Sequence, residues 1–260
     1  MSHRLVTSSS NPRVSAARRL RRRSQREATG LILVEGERVI SDALELGVVE
    51  DLFVTPDAGG VASAAEERDV RPLWVSASVL RSLSEAVTPQ GAVAIVRSPL
   101  ISATDISSWS LVLVLDQVRD PGNAGTLLRA AVAAGASAVI FTEGSVDATN
   151  PKTVRASAGA LFRVPVASGA ELEKVAELAH GAGAAMVGAA TEAALSLYEA
   201  DLRVPLAVVV SNEAHGLSGD RRALLDETVS IPMPGPQESL NVSIAGALVL
   251  FEVVRQRLYA

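Results

Sequence analysis

Short apolar runs alternate with segments of helical spacing along most of the chain, and this pattern predicts the secondary structure. The run LVLVLD at 111–116 is apolar almost throughout, which is typical of a strand buried on both faces of a parallel sheet. The alternation predicts an α/β fold in which helices cover a parallel sheet. Strands are predicted at 31–34, 51–55, 72–75, 91–97, 111–116, 138–141, 163–166, 184–190, 206–210 and 228–232, and helices at 37–46, 123–134, near 150–160, 170–180 and 239–258.

The same pattern, with the composition, divides the chain into four parts. Residues 1–28 form an arm with eight arginines and one glutamate, and its sequence RRLRRRSQRE predicts partial helix. Residues 29–97 read as a small α/β domain, and 98–108 (SPLISATDISS) as a linker. Residues 109–260 begin with the buried strand and form the larger domain. A basic arm on a chain of net charge −5 favours a phosphate-bearing partner, although a disordered or merely solvated tail is an alternative.

Composition excludes several kinds of chemistry. The chain has no cysteine, so disulfides, thiolate zinc sites and cysteine nucleophiles are excluded, and only three histidines are available to a metal. We expect no metal and no membrane span, because no apolar run reaches eighteen residues. The N-terminal sequence lacks the apolar core of a secretory signal, and an organelle transit peptide is the less favoured reading of its arginines. A cytoplasmic location is therefore expected.

Polar side chains follow three of the predicted strands. Asn123 and Arg129 come after 111–116, and Glu213 and Gly216 come after 206–210. The last strand is followed by a proline-rich loop and then by three polar residues at the start of an apolar helix: Ser239, Asn241 and Ser243. Because parallel strands present ligand sites at their carboxyl ends, we expect these turns to converge on one site. Helix capping is the alternative explanation for Asn123 and for one of the three polar residues.

Common nucleotide-binding and hydrolase motifs are missing. The glycines of HGAGAAMVG have the wrong spacing for a dinucleotide fingerprint and are better read as the end of a helix. The sequence contains neither the G-x-x-x-x-G-K-[ST] phosphate loop nor the G-x-S-x-G elbow of hydrolases. A nucleotide-cofactor oxidoreductase is therefore disfavoured.

Three segments together resemble the SpoU (also called TrmH) branch of the SPOUT RNA 2′-O-ribose methyltransferases. The first motif is DQVRDPGNAGTLLRAAVAAGA at 116–136, the second is VVSNEAHGLS at 209–218, and the third is IPMPGPQESLNVSIAGALVLFE at 231–252. Residues and spacing match over about 150 residues. The resemblance implies a SPOUT domain whose C-terminal part, about 206–258, forms a deep trefoil knot. Residues 29–97, through VEGERVI and the strand pattern, resemble the small L30e-like substrate-binding domain often fused to this branch.

The resemblance also implies a cofactor, S-adenosylmethionine, and a set of residues that hold it. Ser211, Ile231 and Leu240 would contribute mainly backbone contacts. Ser211 departs from the family, which usually has glycine there, and its side chain narrows the pocket. The expected cofactor-binding residues are Ala190, Thr191, Val210, Ser211, Asn212, Gly216, Ile231, Met233 and Leu240.

Catalytic residues are likewise implied by the family: Asn123, Arg129, Glu213, Ser239 and Asn241. Arg129 is expected to orient RNA and to stabilise a developing alkoxide, because a guanidinium is a poor base. Asn123 is expected to hold Arg129 or the target ribose. Met233, His215 and Ser243 are expected to be mainly structural.

The partners implied are RNA and a second copy of the chain. The apolar last helix is expected to build a homodimer in which Arg129 approaches the partner's cofactor, with a single internal core helix as the alternative. Ribosomal RNA, most plausibly 23S, is the first choice of substrate and transfer RNA the second. A non-catalytic RNA-binding protein on the same fold is the rival from another functional class.

Overall fold

The computed structural model describes residues 5–84, 86, 89–212 and 219–259, and the chain divides into two compact units. The first unit comprises the chain up to Ser98 together with Thr149–Phe162, and the second comprises Pro99–Ala148 together with the chain from Arg163. The sequence had placed 149–162 inside the larger domain, so its grouping with the N-terminal unit was not predicted.

Helices and strands alternate as the apolar pattern indicates. The helices are α1 Pro12–Arg19, α2 Arg23–Thr29, α3 Glu37–Glu45, α4 Gly59–Glu66, α5 Ala77–Leu83, α6 Pro121–Ala133, α7 Pro151–Ser157, α8 Leu172–Gly181, α9 Gly219–Arg222 and α10 Val242–Tyr259. The strands are β1 Leu31–Glu35, β2 Val49–Val54, β3 Leu73–Trp74, β4 Ala92–Arg97, β5 Leu100–Ile101, β6 Leu111–Asp116, β7 Ala138–Thr142, β8 Val166–Ala170, β9 Ala185–Ala189, β10 Leu195–Ser196, β11 Leu206–Ser211 and β12 Glu227–Ser230.

The N-terminal unit is built on a four-stranded sheet in the order β1-β4-β2-β3. Strand β4 runs antiparallel to β1 and β2, whereas β3 is parallel to β2. Helix α1 belongs to its core, because Val14 and Ala17 are fully buried and pack in the same apolar cluster as Phe53. The alternative of a disordered or merely solvated tail is therefore wrong for α1.

The arginines of the arm divide into one buried side chain and an exposed group. Arg26 is 5% exposed and donates hydrogen bonds to the carbonyl oxygens of Leu20 and Arg21, both at 2.9 Å. These bonds tie the turn between α1 and α2 to the last turn of the second helix, because they satisfy carbonyls that no helix bond reaches. The exposed arginines on this corner are Arg18, Arg19, Arg21, Arg22 and Arg23.

The segment between β7 and β8 contributes helix α7 to the N-terminal unit, where it contacts β1. Arg155 of α7 forms an ion pair with Glu35 at 2.8 Å. Gly159 follows in a left-handed conformation (φ +88°), and a Cβ added there would lie 2.6 Å from Oδ2 of Asp42. Only glycine therefore allows the chain to turn this close to α3.

The second unit contains an eight-stranded sheet in the order β10-β12-β9-β11-β6-β7-β8-β5. Every pairing in this sheet is parallel, and each residue of β6 is buried, as LVLVLD predicted. The strand predicted at 163–166 is wrong, because β8 begins only at Val166 and continues through small residues that carry no apolar signal. The trefoil knot stays a prediction.

Two helix starts also differ from the prediction. Helix α6 begins at Pro121 with Asp120 as its N-cap. The Asp120 carboxylate accepts a hydrogen bond from the backbone N–H of Asn123 at 2.8 Å. Helix α10 begins at Val242, so Ser239 lies in the preceding loop. Within the described ranges no helix has the length and apolarity to cross a bilayer, and no group of metal-binding side chains is found.

Candidate active site

The carboxyl ends of four neighbouring strands meet at one edge of the large sheet. Ser211 at the end of β11 pairs with Asp116 at the end of β6, and Val229 of β12 pairs with Ala189 of β9. Strand β9 in turn lies between β11 and β12. Because neighbouring parallel strands end side by side, the turns that follow them are close together. This agrees with the prediction that the three polar turns converge.

This edge carries most of the residues expected to bind the cofactor. Val210 is buried, and Thr191 is exposed. The others in the described part of the chain are half-buried: Ala190, Ser211, Asn212, Ile231, Met233 and Leu240. Ala190 is held by its amide, which donates to the Val229 carbonyl at 3.0 Å. The predicted residues Glu213, His215 and Gly216 lie outside the described residues.

A direct hydrogen bond joins the first motif to the third. Nδ2 of Asn241 donates to Oδ1 of Asn123 at 3.0 Å, although 118 positions separate the two residues. The Asn123 side chain is not a helix cap, because Asp120 performs that role and Asn123 lies within the first turn of α6. The capping alternative for Asn123 is therefore wrong, and the side chain is available to the site.

Asn241 caps α10 as well as contacting α6. Its Oδ1 accepts from the Ser243 amide at 2.9 Å and from the Ser243 hydroxyl at 2.6 Å, and its carbonyl accepts from the Ile244 amide at 3.0 Å. Capping thus explains one of the three polar residues that open the third motif. Ser243 is only 7% exposed and supports Asn241, whereas Ser239 is exposed in the loop.

Arg129 is exposed on α6, and no hydrogen bond or ion pair joins it to another described residue. Six positions separate it from Asn123, which corresponds to about 9 Å along the helix and about 120° around it. Asn123 therefore does not hold Arg129 within the described chain. Among the described residues none occupies the guanidinium donors, and Arg129 stays a predicted catalytic residue.

Close packing fixes α10 against α6 and β11. Gly246 lies at a close approach between these elements, because a Cβ there would lie 2.5 Å from Cδ2 of Leu127 and 3.2 Å from Cγ1 of Val210. Leu127 and Val210 are themselves almost fully buried. This contact holds the first and third motifs in register, so the Asn123–Asn241 bond rests on a rigid support.

Sequence reasoning missed a buried ion pair at the end of β6. Asp116 is 1% exposed, accepts from the Thr142 hydroxyl at 2.9 Å, and pairs with Arg221 of α9, whose side chain is 23% exposed. Burial raises the pKa of Asp116, while the bond from Thr142 and the positive charge of Arg221 act in the opposite direction. The sequence feature that could have indicated this pair is Asp116 itself, a charged residue at the end of an otherwise apolar strand.

Backbone strain lies directly after that aspartate. Gln117 has a positive φ of +54°, which is unusual for a side chain of its size, and its amide donates to Thr142 at 3.3 Å. Such conformations cost on the order of 1–3 kcal/mol and concentrate at functional sites. The chain thus turns sharply at the carboxyl end of β6, where the first motif leaves the sheet.

These side chains can orient a ligand and stabilise negative charge. The described part of the site offers amides, hydroxyls and a guanidinium, and its one buried carboxylate is held by Arg221 and Thr142. Apolar residues beside them, including Val210 and Leu240, can exclude water. This combination suits a transfer in which the donor molecule brings its own activated group.

Comparison with known proteins identifies the family of both parts of the chain. The model of the SpoU rRNA Methylase family matches residues 110–251, and that of the MRM3-like substrate binding domain matches residues 11–94. The chain is similar to the 23S rRNA (guanosine(2553)-2′-O)-methyltransferase RlmP of Bacillus subtilis, with 30% identity over 95% of this chain and 98% of that protein.

Two further relatives cover nearly the whole chain. The 23S rRNA (uridine(2479)-2′-O)-methyltransferase of Streptomyces viridochromogenes is 33% identical over 91% of this chain and 86% of that protein. The crystal structure of an AdoMet-bound rRNA methyltransferase from Sinorhizobium meliloti has a TM-score of 0.87, with 31% identity and 99% of both chains covered. The resemblance drawn from the three motifs is confirmed.

Proposed function

Because the chain belongs to the SpoU rRNA methylase family, we propose that it transfers a methyl group from S-adenosylmethionine to a ribose 2′-hydroxyl of 23S ribosomal RNA. The observation that carries the proposal is the Asn123–Asn241 bond, which brings the first and third motifs together beside the carboxyl ends of β6 and β11. Relatives named as 23S ribosomal RNA methyltransferases favour ribosomal over transfer RNA.

The site fits the proposed cofactor. Ser211, Ile231 and Leu240 are half-buried, and their backbone groups can recognise the edge of an adenine, while Val210 supplies an apolar wall. S-Adenosylmethionine supplies a methyl group already activated by its sulfonium charge. The task of the protein is then to align the ribose oxygen with that methyl carbon and to help the hydroxyl lose its proton.

Arg129 is proposed to orient the RNA and to stabilise the developing alkoxide. Its five N–H donors suit a phosphate or an oxyanion, and a guanidinium stays protonated at neutral pH. Replacing Arg129 with alanine should keep cofactor affinity and reduce turnover by about 10²–10³-fold, as for loss of an oxyanion donor. Exposed Arg119, which precedes the N-cap of the same helix, provides a matched control. Near-normal turnover in Arg129→Ala would remove the assigned role.

A homodimer is proposed from the outer face of α10. Four exposed apolar side chains follow helical spacing along it: Ile244 (53% exposed), Leu248 (38%), Phe251 (49%) and Leu258 (68%). An apolar stripe of this kind, interrupted only by Arg255, is typical of a surface that another subunit covers. Substituting Phe251 with glutamate should convert the dimer to a monomer in light-scattering measurements. Leu46→Glu, at an apolar side chain of similar exposure (55%) outside α10, should leave the mass unchanged.

The arginine corner of α1 and α2 is proposed to contact the RNA backbone. Five exposed arginines lie within six positions there, and phosphate contacts make affinity fall steeply with salt. Replacing Arg18, Arg19 and Arg22 with glutamine should flatten the slope of log affinity against log salt by about two to three units, as expected for three lost contacts. An unchanged slope would contradict this role.

A cytoplasmic location is also proposed, because it goes with a ribosomal substrate.

The direct test is incubation with S-adenosylmethionine labelled in its methyl group and either 23S ribosomal RNA or transfer RNA. We expect label in the ribosomal RNA, at a ribose that then resists alkaline cleavage because its 2′-oxygen is blocked. Calorimetric titration with S-adenosylmethionine and with NAD distinguishes the methyltransferase from the oxidoreductase alternative, because each would bind only its own cofactor. RNA binding without label transfer would support the non-catalytic rival instead.

A further inference from the structure

The hydrogen bonds around Asn241 determine which way its side-chain amide faces. The backbone N–H of Ser243 contacts the amide at 2.9 Å, and a backbone N–H can only donate. The atom of Asn241 that meets it must therefore be the oxygen. The Ser243 hydroxyl donates to the same oxygen at 2.6 Å, so two donors fix this orientation.

The orientation of Asn241 in turn determines that of Asn123. With its oxygen turned toward Ser243, Asn241 presents its NH₂ group to Asn123 at 3.0 Å. A donor requires an acceptor, so the facing atom of Asn123 is its oxygen. The NH₂ group of Asn123 then points away from Asn241, and within the described part of the chain it has no hydrogen-bond partner.

We propose that Ser243 is a positioning residue which, through Asn241, makes Asn123 present hydrogen-bond donors to an oxygen of the bound RNA. This inference rests on the proposed function and assigns a polarity to one of its residues. Asn123 would stabilise negative charge on the ribose 2′-oxygen and could not accept the hydroxyl proton. Ser243, expected from the sequence to be mainly structural, would act on the chemistry through two amides.

The methyl-transfer step places a limit on what Asn123 can do. The ribose 2′-oxygen forms a bond to the methyl carbon while the carbon–sulfur bond breaks and leaves its electron pair on sulfur. The hydroxyl proton leaves to solvent or to another group. A donor at the 2′-oxygen stabilises charge as the proton departs, whereas an acceptor would draw the proton off. The two polarities therefore predict different effects of a carboxylate at position 123.

Asn123→Asp and Asn123→Ala form a matched pair. Aspartate keeps an oxygen for Asn241 but replaces the NH₂ group with an acceptor, and alanine removes both. We expect the single-turnover rate at saturating RNA to fall about 10²-fold or more in both variants, with aspartate no faster than alanine. Cofactor affinity, measured by calorimetry, should stay at the wild-type value. If Asn123→Asp is clearly faster than Asn123→Ala, the donor assignment is overturned.

Ser243 is tested by removing and restoring its hydroxyl. Ser243→Ala keeps the backbone N–H but loses the second donor to Asn241, and we expect a rate loss of about 5–10-fold, typical of one hydrogen bond. Ser243→Thr, which restores a hydroxyl, should recover most of that rate. A wild-type rate in Ser243→Ala would show that the Ser243 hydroxyl does not position Asn123 through Asn241.

Side-chain NMR gives a readout that a purely structural role would not change. In ¹⁵N-asparagine-labelled protein, the Asn241 NH₂ group should be protected from water exchange with and without RNA. The Asn123 NH₂ group should exchange freely alone and become protected when RNA binds. Protection of Asn123 without RNA would contradict the proposal. Wild-type protein that transfers no methyl group would instead refute the proposed function, so the two failures are distinguishable.

Discussion

The ion pair of Asp116 and Arg221 allows a stability prediction from its geometry. Removing one partner of a buried pair typically costs about 3–5 kcal/mol, because a charge is left uncompensated. Here Thr142 keeps its bond to Asp116, and the Arg221 side chain is 23% exposed. We therefore expect Arg221→Met to lower the free energy of unfolding by about 2–3 kcal/mol at pH 7.5, below the usual range. For a unit of this size that corresponds to a fall of roughly 4–12 °C in Tm.

The pH dependence of that loss follows from the direction of the Asp116 pKa shift. Burial raises the pKa of Asp116 above its ordinary value of 3.8, so the folded state binds this proton more tightly than the unfolded state does. Stability therefore falls as pH rises from about 4 through the raised pKa. Without the Arg221 charge the pKa of Asp116 rises further, and the pH range over which stability is lost becomes wider. The difference between variant and wild type should be largest at pH 7.5 and nearly vanish at pH 4.

The measurement is urea unfolding followed by circular dichroism at both pH values. Arg222→Met is the control, because Arg222 neighbours Arg221 but is exposed and, among the described residues, donates to Thr228 at 3.1 Å. Adding Asp116→Asn to Arg221→Met should recover most of the loss, since the amide carries no charge to leave unpaired. An equal loss of unfolding free energy at both pH values would contradict the role of the ion pair. So would an equal loss in Arg222→Met.

Three other substitutions test close packing and the arginine corner. Gly159→Ala should destabilise the N-terminal unit by about 2–4 kcal/mol, from left-handed strain plus the contact with Asp42, whereas Gly47→Ala, left-handed with open space, should cost only about 1 kcal/mol in the same urea assay. Gly246→Ala should cost about 1–3 kcal/mol by thermal unfolding through overpacking against Leu127, and shortening Leu127 should relieve part of it. Arg26→Met should cost about 1–3 kcal/mol, because one buried and one partly buried carbonyl lose their donor, and should speed proteolysis between α1 and α2.

The central part of the fold could be predicted from the sequence because apolar period and burial coincide there. LVLVLD matches β6 residue for residue, and 206–210 matches β11 apart from its last position. At 163–170 the local signal fails, because β8 is built from Val166, Ala167 and three small residues whose strand conformation is imposed by pairing with β7. Tertiary context determines such a strand, and propensity does not.

The closeness of Asn123 and Asn241 was predictable from the sequence, but the hydrogen bonds around them were not. Motif spacing selected Asn123 and Asn241, and parallel-strand geometry placed them at one edge. The bond between them, the cap formed by Asp120 and the pairing of Asp116 with Arg221 depend on side-chain directions that no linear pattern encodes. Ser243 was expected to be mainly structural, and the sequence does not show that its hydroxyl donates to Asn241.

The position of α7 has a consequence for how such proteins can be rearranged. A chain cut once after Ser98 would release an N-terminal piece that lacks the helix carrying Arg155, and Glu35 would lose its ion-pair partner. The remainder would retain a helix whose packing surface on β1 had gone. Recombination that exchanges the N-terminal unit between lineages would thus need two junctions, or a donor unit that brings its own replacement for this helix.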